Sequence, residues 1–565
     1  MDRIVECVPN FSEGRDRAKI DAIAAAIRSV DGVELLDVDP GTDTNRTVVT
    51  LVGEPDDVVE AAFRAIAEAA KRIDMRAHRG AHPRMGATDV CPFVPVRGVT
   101  MDDCAALARR LGRRVGEELG IPVYLYGFAA SSAERRSLAD VRAGEYEGLA
   151  ARVGKPEWKP DFGPHEFRPD TGATAIGARE FLIAYNVNLN TRSRRLAHDI
   201  ALDIRESGRR ARDDGGNHVR DAQGNFVTVP GRFRECRAVG WTLPEHGIAQ
   251  VSINLTNFKV TSLHDVFDAV DEGARRRGLR ATGSEIVGVV PLDAVRLAGQ
   301  HYLRKQGLPP GVPERELVHV AVKSLGLGDL VPFDASQKIL EYRLRRTGLL
   351  VDRTLTDFVD ELSSDSPAPG GGSAAALMGS MSSALSSMVA SLTAGKKGLE
   401  GAWERMTDLG VDAQLLKEEF LRDVDRDTDA FRAMQAASRL PKGSPEEIAA
   451  RGQALRAATR RATEVPLEVL ERTGRAAELA AEVATSGNPN SRSDAGVTAL
   501  AARACAEGAY YNVLINLAGA DDLEWAAGVR RRAEVALARV TSSTDRTARA
   551  VREALEKGAG QPQEA

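Results

Sequence analysis

FLIAYNVNLNTRSRRLAHDIALDIRE, residues 181–206, reads as a strand, FLIAYNVNL, running into a helix that lasts to about Glu206. Strands follow around Ala238–Leu243 and Ile248–Leu255, then a helix from Ser262 and a last strand in EIVGVVP. The order is β-α-β-β-α-β, a split βαβ arrangement. The same order is legible upstream. A strand near Ile4–Val8 precedes NFSEGRD, whose Ser12 and Asp16 offer helix-capping oxygens, and Ile20, Ile23, Ala24, Ile27 and Val30 then recur at helical spacing. VELLDV and TVVTLV are strands, and Val58, Val59, Ala62, Phe63, Ile66 and Ile73 mark a second amphipathic helix. A loop containing two histidines leads into the strand VCPFVPV; a third helix near Asp103–Leu119 and the strand IPVYLYG close the unit. The expected fold is α+β for the front half, two ferredoxin-like sandwich subdomains side by side with a ligand-sized cleft between them.

At 565 residues the chain exceeds one ordinary hydrophobic core, so about two to four domains are expected. A net charge of -5 leaves no electrostatic footprint for nucleic acid and favours a small ligand. Cys7, Cys91, Cys104, Cys236 and Cys505 fall into no CxxC or His/Cys metal spacing, which points away from a disulfide framework and a metal site and toward a reducing compartment. MDRIVECVPNF has no apolar signal-like run, and no span is apolar enough for a bilayer, so a cytoplasmic location is expected.

The densest chemistry lies in HRGAHPRMGATD, residues 78–89, with two histidines, two arginines and two glycines in one polar loop. A neutral imidazole on a loop held by a strand suits general-base work. His82, followed by the rigid Pro83, is the choice; His78 is the alternative, and either ring also suits a purely structural hydrogen bond. Arg79 and Arg84 are candidates for carboxylate binding, and salt bridging is the competing role. Two irregular stretches stand out, one between the two units and one interrupting the second. KPDFGPHEFRPDTGATAIGARE, by its Gly and Pro, reads as a linker. Residues 207–235 carry six arginines in a long loop that fits either a carboxylated substrate or a solvated insertion.

Strand signals stop near residue 335, and from Leu355 everything is helical by period. SPAPGGGSAAALMGSMSSALSSMVASLT, residues 366–393, is a small-residue helix whose Gly370, Gly371, Gly372 and Ser373 sit where free N–H groups favour anions. In LRDVDRDTDAF, residues 421–431, Phe420, Val424 and Phe431 set the apolar stripe. Asp427 falls within it, Asp423 and Asp425 at its margins, and Asp429 away from it. An exposed acidic face accounts for all of these but Asp427, which burial would make a useful acid. Further on, Arg492 and Asp494 begin a helix bearing Asn512 and Asn516 one turn apart, a capped start and either pocket-lining or core amides.

ECVPNFSEGRD, LLDVDPGTDTNRTVVTLVG, HRGAHPRMGATD, PDFGP, GAREFLIAYNVNL and AQVSINLTNF, in order over roughly the first 330 residues, resemble glutamate formimidoyltransferases. The second half resembles formimidoyltetrahydrofolate cyclodeaminases, so the chain is similar to the bifunctional formimidoyltransferase-cyclodeaminase family of histidine degradation. That resemblance implies transfer of the formimidoyl group from N-formimidoyl-L-glutamate to N5 of tetrahydrofolate, then cyclisation to 5,10-methenyltetrahydrofolate with release of ammonia. It implies His82 and Asp427 as the catalytic residues and tetrahydrofolate, possible as its polyglutamate, as co-substrate without a metal. Folate binding would fall to Gly163, Pro164, His165, Glu166, Phe167, Arg168, Pro169, Asp170, Thr171 and Gly172, with Asp39 orienting the imidazole or holding the pterin. The expected division is residues 1–178 and 179–334 for the transferase subdomains, 335–353 for a linker, 354–557 for an all-α cyclodeaminase bundle and 558–565 for a disordered tail. A homo-oligomer through the helical domain is expected, with no nucleic-acid or membrane partner. The competing expectations are a formylglutamate donor with a methenyltetrahydrofolate cyclohydrolase-like rear domain, and a folate-binding scaffold without turnover. The 207–235 stretch is long for the family.

Overall fold

Alternation along the strands explains how the front half assembles. In the computed structural model, which describes residues 3–559 apart from 43, 81 and 346, the elements are β1 (Ile4–Cys7), β2 (Asn10–Phe11), α1 (Arg17–Arg28), β3 (Val33–Gly41), β4 (Arg46–Gly53), α2 (Pro55–Arg72), β5 (Thr88–Arg97), α3 (Met101–Glu118), β6 (Val123–Gly127), two short helices α4 (Leu138–Val141) and α5 (Glu145–Arg152), and β7 (Thr174–Ala178). They form one seven-stranded sheet in the order β3, β4, then β1 and β2 in the same lane, β5, β7, β6. All pairs are antiparallel except β5 with β7 and β6 with β7. Val5, Cys7, Val49, Leu51, Cys91 and Phe93 point to the side packed with Ile23, Ile27, Val58, Ile66, Leu111 and Val115 of α1, α2 and α3. The opposite side carries Arg46, Val48 and Thr50 between those positions, and near β6 it is covered by a smaller cluster with Val141 and Leu149 of α4 and α5.

Asp16 caps α1 as expected, accepting from Ala18 N at 3.0 Å, whereas Ser12 donates instead to Gly86 O at 2.7 Å and pins the histidine loop. The stretch taken for a linker contains β7. Its five residues, TAIGA, are buried on both faces between two parallel neighbours. With only one β-branched aliphatic and three small residues, it carries no alternation to betray it.

A four-stranded antiparallel sheet follows, from β8 (Ile183–Leu189), α6 (Arg194–Ile204), β9 (Arg209–Arg210), β10 (Thr228–Val229), β11 (Cys236–Leu243), β12 (Ile248–Leu255), α7 (Leu263–Arg275) and β13 (Ala281–Val287), in the order β11, β12, β8, β13. β9 and β10 form a separate hairpin at the root of the 207–235 stretch. Its arginines are largely spent on its own construction. Arg210 and Arg220 each stand 3.9 Å from the Phe226 ring centroid, Arg212 and Arg220 donate to Gly216 O and Gly224 O, and Arg209 pairs with Asp203.

The chain divides into two compact units, Met1–Pro291 and Leu292–Ala565. The second is entirely helical: α8 (Leu292–Lys305), α9 (Glu314–Leu325), α10 (Ala335–Lys338), α11 (Leu340–Arg343), α12 (Leu355–Leu362), α13 (Gly371–Ser391), α14 (Trp403–Ser438), α15 (Pro445–Ser486), α16 (Arg492–Leu517) and α17 (Leu523–Ala559). α8 and α9 fall in this unit, and the strands end at Val287. The expected tail, 558–565, lies outside the described residues but for the backbone of 558 and 559. No helix among the described residues is long and apolar enough to cross a membrane.

α13 packs against both α14 and α16, and its small residues are what permit it. A β-carbon at Gly379 would stand 2.7 Å from the Phe420 ring and 2.9 Å from Cys505 Sγ, and both neighbours are fully buried. Substituting Gly379→Val therefore overfills a rigid core and is expected to destabilise the helical unit by about 2 kcal/mol. Urea unfolding followed by circular dichroism measures this; an unchanged midpoint would contradict the packing described.

Candidate active sites

The loop of residues 78–89 is held from three sides. Ser12 N donates to Ala87 O at 2.9 Å, Asn45 Nδ2 donates to Arg79 O at 2.9 Å, and Ala87 N donates to Thr171 O at 2.8 Å. Beneath it lies Asp89, a carboxylate at 0% exposure. Arg142 meets it through two bonds of 3.1 and 2.5 Å, Met85 N donates to it at 3.1 Å, and Arg46 forms a third charged contact. A buried carboxylate shared by two guanidiniums is a fixed point; removing one partner from such a cluster costs about 3–5 kcal/mol.

His82 is half-buried above this cluster. Its Nδ1 lies 2.6 Å from Pro83 O and 3.2 Å from Arg46 Nη1. A carbonyl can only accept, so the shorter contact assigns the proton to Nδ1 and leaves the lone pair on Nε2. Burial, then the Arg46 charge, hold the imidazolium form down, so His82 titrates below the ordinary imidazole value. Both effects favour the neutral ring, and among the described residues nothing bonds Nε2. His78 is the structural histidine of the pair: it is buried, its Nε2 bonds Asn45 O at 2.9 Å, and Arg84 Nε approaches its Nδ1 at 3.3 Å. Arg84 is also committed elsewhere, buried and paired with Glu147 at 2.6 Å and Glu145 at 3.2 Å, which leaves it no fork for a substrate carboxylate. Arg79 is exposed and turned onto the His78 and Arg76 carbonyls.

Of the Gly163–Gly172 segment, the C-terminal end reaches this loop. Gly86 and Gly172 form a bridge, Ala173 N donates to Met85 O at 3.1 Å, and Gly172 takes φ 66°. A β-carbon at Gly172 would stand 2.2 Å from Met85 O, so only glycine permits the approach. Earlier in the segment, Arg168 binds Gly120 O at 2.9 Å and pairs with Asp170 at 3.0 Å, the Phe167 ring lies 5.6 Å from Tyr146, and His165 and Glu166 are exposed. Asp39 is exposed on β3 and paired in register with Val48, hence on the sheet face that bears Arg46. The groups that orient His82 are the Pro83 carbonyl and Arg46; Asp39 is not among them. Sequence reasoning passed over Arg46, Asp89 and Arg142. In NRTVVTLV the alternation puts Arg46 on the side away from the helices, where a charge reads as an ordinary outward residue.

In the helical unit, Asp427 of α14 meets the start of α13. Ser373 donates to it from its backbone N–H, and the Ser373 hydroxyl lies 3.1 Å from Asp427 Oδ2. A β-carbon on Gly372 would stand 2.1 Å from Asp427 Oδ1, so glycine at this position is what admits the carboxyl. Burial raises the Asp427 pKa, the Ser373 bonds pull it back, and nearby Asp423 raises it further. Asn512 joins the same place, its Nδ2 3.5 Å from where a Gly371 β-carbon would be, while Asn516 is tied to Ala462 O at 2.7 Å on α15. The expectation of an exposed face for Asp423 fails. It is 1% exposed and held by Arg426 at 2.6 Å and by Arg472, which makes it the structural acid of this helix. Asp425 accepts from Leu350 N at 2.7 Å. The helical spacing was read correctly; the long arginines that reach over from the neighbouring turn and from α15 are not visible in it.

Residues 4–179 match the family model described as the formiminotransferase domain, N-terminal subdomain, residues 184–345 the formiminotransferase domain, and residues 354–535 formiminotransferase-cyclodeaminase. The chain is 45% identical over 535 residues to a formimidoyltransferase-cyclodeaminase of Sus scrofa, covering 94% of this chain and 96% of that one. A glutamate formimidoyltransferase of Streptococcus pyogenes serotype M1 is 41% identical over 304 residues, 54% of this chain and 94% of its own. A methenyltetrahydrofolate cyclohydrolase of Methylorubrum extorquens is 39% identical over 175 residues, 31% of this chain and 84% of its own.

Three outcomes follow from the geometry and electrostatics of these residues. The His82 ring, assigned in NMR spectra by the signal lost in His82→Gln, is expected to titrate below 6.5, and Arg46→Gln is expected to move that midpoint upward. Asp423→Ala should cost about 1–3 kcal/mol, since it takes the shared buried carboxylate from two half-buried guanidiniums and leaves Arg426 to Glu468 and Arg472 to Glu419. Asp427→Asn, which keeps the Ser373 contact, should cost about 1 kcal/mol or less by the same urea titration.

Proposed function

Because the chain belongs to the formimidoyltransferase-cyclodeaminase family, we infer that it is a bifunctional enzyme whose α/β half transfers a formimidoyl group from N-formimidoyl-L-glutamate to N5 of tetrahydrofolate and whose helical half closes the product to 5,10-methenyltetrahydrofolate with loss of ammonia. The observation that carries the assignment of residues is the seating of two half-buried groups, His82 with its Nδ1 on the Pro83 carbonyl and Asp427 on Ser373 against Gly372, where burial favours the neutral form of each. Attack by N5 on the formimidoyl carbon leaves a proton on N5 and requires one on the departing glutamate nitrogen. His82, with Nε2 free, accepts the first and returns it to the second. Ring closure has the opposite need at its outset. N10 attacks the formimidoyl carbon and its proton passes to the former imino nitrogen, Asp427 donates the further proton with which ammonia leaves, and the ionised carboxylate then faces the cationic methenyl product, a form that the Ser373 donors and the start of α13 sustain.

The 163–172 segment and Asp39 are assigned to folate. Support comes from the backbone ladder tying Thr171–Ala173 to the His82 loop, and from Asp39 sharing a sheet face with Arg46. In this reading the two front sheets are ferredoxin-like sandwiches: β3, β4, β1, β5 and β11, β12, β8, β13 follow one strand order, with β7 and β6 added to the first. The protein works in the cytoplasm without a metal, accepts polyglutamylated folate, and self-associates through the helical half, where Met381, Leu500 and Ile515 are exposed on α13 and α16.

The likeness to a methenyltetrahydrofolate cyclohydrolase favours one second reading, in which the helical half opens the methenyl ring with water instead of forming it. Following the methenyl chromophore from tetrahydrofolate and formimidoylglutamate decides between them. His82→Ala should abolish transfer and leave cyclisation of supplied 5-formimidoyltetrahydrofolate intact, and Asp427→Asn should do the reverse. Parallel loss of both activities in either folded variant would overturn the separation of sites.

A further inference from the structure

The second sheet of the front unit has one face given to folding and one that is not. Tyr185, Val187 and Leu189 of β8 and Val251 and Ile253 of β12 are buried on the side packed by α6 and α7. The alternating positions form two cross-strand rows on the other side. One runs Trp241, Gln250, Asn188 and Gly283; the next runs Val239, Ser252, Asn186 and Glu285. At their centre is a built polar cluster. Gln250 Nε2 donates to Asn188 Oδ1 at 2.8 Å and to Glu285 Oε1 at 2.9 Å, and Asn186 Nδ2 donates to the same Glu285 oxygen at 3.0 Å.

Gln250 is 0% exposed, and among the described residues its Oε1 has no hydrogen-bond partner. Rotating the amide does not repair this, because Oε1 would then face two acceptor oxygens, and a carboxylate has no hydrogen to offer. A buried acceptor without a donor costs about 1–3 kcal/mol, which a fold retains where a ligand completes the bond. Glu285 sends Oε1 to both protein donors, and its Oε2 has no partner among the described residues. Beside these two acceptors stands Trp241, directly across the ladder from Gln250 and 54% exposed, a large aromatic face with nothing to hide it.

Two adjacent acceptors next to an open indole ask for a flat ring with neighbouring N–H donors. Of the two substrates, the reduced pterin has that edge, its N3–H and 2-amino group, fused into a planar pyrimidine; formimidoylglutamate has no planar ring of that size. We propose that Glu285 and Gln250 receive the N3–H and 2-amino donors of the tetrahydrofolate pterin while Trp241 packs on the ring, making this sheet face the specificity surface for the pterin in the transfer step. The assignment rests on the transferase reading above and adds residues outside the 163–172 segment to it.

The test compares Trp241→Ala, Trp241→Phe and Glu285→Gln with the wild type, each checked for an unchanged unfolding midpoint. The KM for tetrahydrofolate in transfer should rise about tenfold or more in Trp241→Ala and Glu285→Gln, as expected for loss of a stacked ring or a charge-assisted bond. The KM for formimidoylglutamate should stay within about twofold, and Trp241→Phe should recover most of the loss. Binding of tetrahydrofolate, read from tryptophan emission, should lose its Trp241 component in Trp241→Phe relative to wild type. A tetrahydrofolate KM unchanged in both variants, or a rise confined to the formimidoylglutamate KM, overturns the proposal. A wild-type chain that binds tetrahydrofolate with the Trp241 signal yet transfers nothing refutes the transferase reading and leaves this one standing; a wild type that shows no such signal refutes this one.

Discussion

A carboxylate taken wholly out of water, Asp89, fixes the front half's chemistry. Alone it would be intolerable in that position; between Arg46 and Arg142 it is neutralised with one positive charge to spare. That surplus matters, because Arg46 reaches past Asp89 to the ring of His82. The cluster therefore does two things at once. It welds the loop of residues 78–89 to β4 and to the turn after α4, and it places a cation where it opposes protonation of the imidazole. The Pro83 carbonyl completes the arrangement by accepting a hydrogen bond from Nδ1–H, which leaves the lone pair on Nε2.

The helical half uses burial with the opposite result. Desolvation disfavours whichever form is charged, so it lowers the pKa of an imidazole and raises that of a carboxyl. His82 and Asp427 are both half-buried, and each is pushed toward its neutral state: one becomes a base, the other an acid. The devices that moderate the push differ. Arg46 adds to the effect at His82, whereas Ser373 and the first turn of α13 restrain it at Asp427, which keeps that group able to ionise after giving its proton away. Gly372 is the geometric condition for this, since any side chain there would displace the carboxyl.

Periodicity made most of the fold legible. Strands with one wet face and helices with one apolar stripe announced themselves, and β1, β3, β4, β5, β8, β12, α2 and α14 lie where their patterns put them. What stayed hidden lacked an alternating signal or depended on distant partners. β7 is sealed on both faces and built of small residues. Asp423 looked like a solvated acid because nothing in its own helix turn tells that Arg472, from α15, folds over it. For the proposed sites, loop chemistry, helical phase and family resemblance pointed to His82 and Asp427 as candidates. The Asp89 cluster could not be named in this way, because its three charges come from β4, β5 and Arg142 just after α4, far apart in the chain.

One consequence of the strand patterns reaches further than the fold. In both front sheets the long helices take one face, which supplies most of the apolar burial that stabilises the unit, while α4 and α5 cover only the end of the other face near β6 in the first sheet. The other face is then free of the packing constraint, and its composition is decided by something else. In the first sheet it collects Arg46, Asp89 and Asp39; in the second, Asn186, Asn188, Gln250 and Glu285. Polar side chains in the middle of a sheet weaken folding unless each is satisfied, and Gln250 is not. Selection for stability alone would fill such positions with valine or threonine, as β4 does at Val48 and Thr50. The cost is tolerable because the helix-covered faces already hold each sheet together, which leaves the uncovered faces available for recognition.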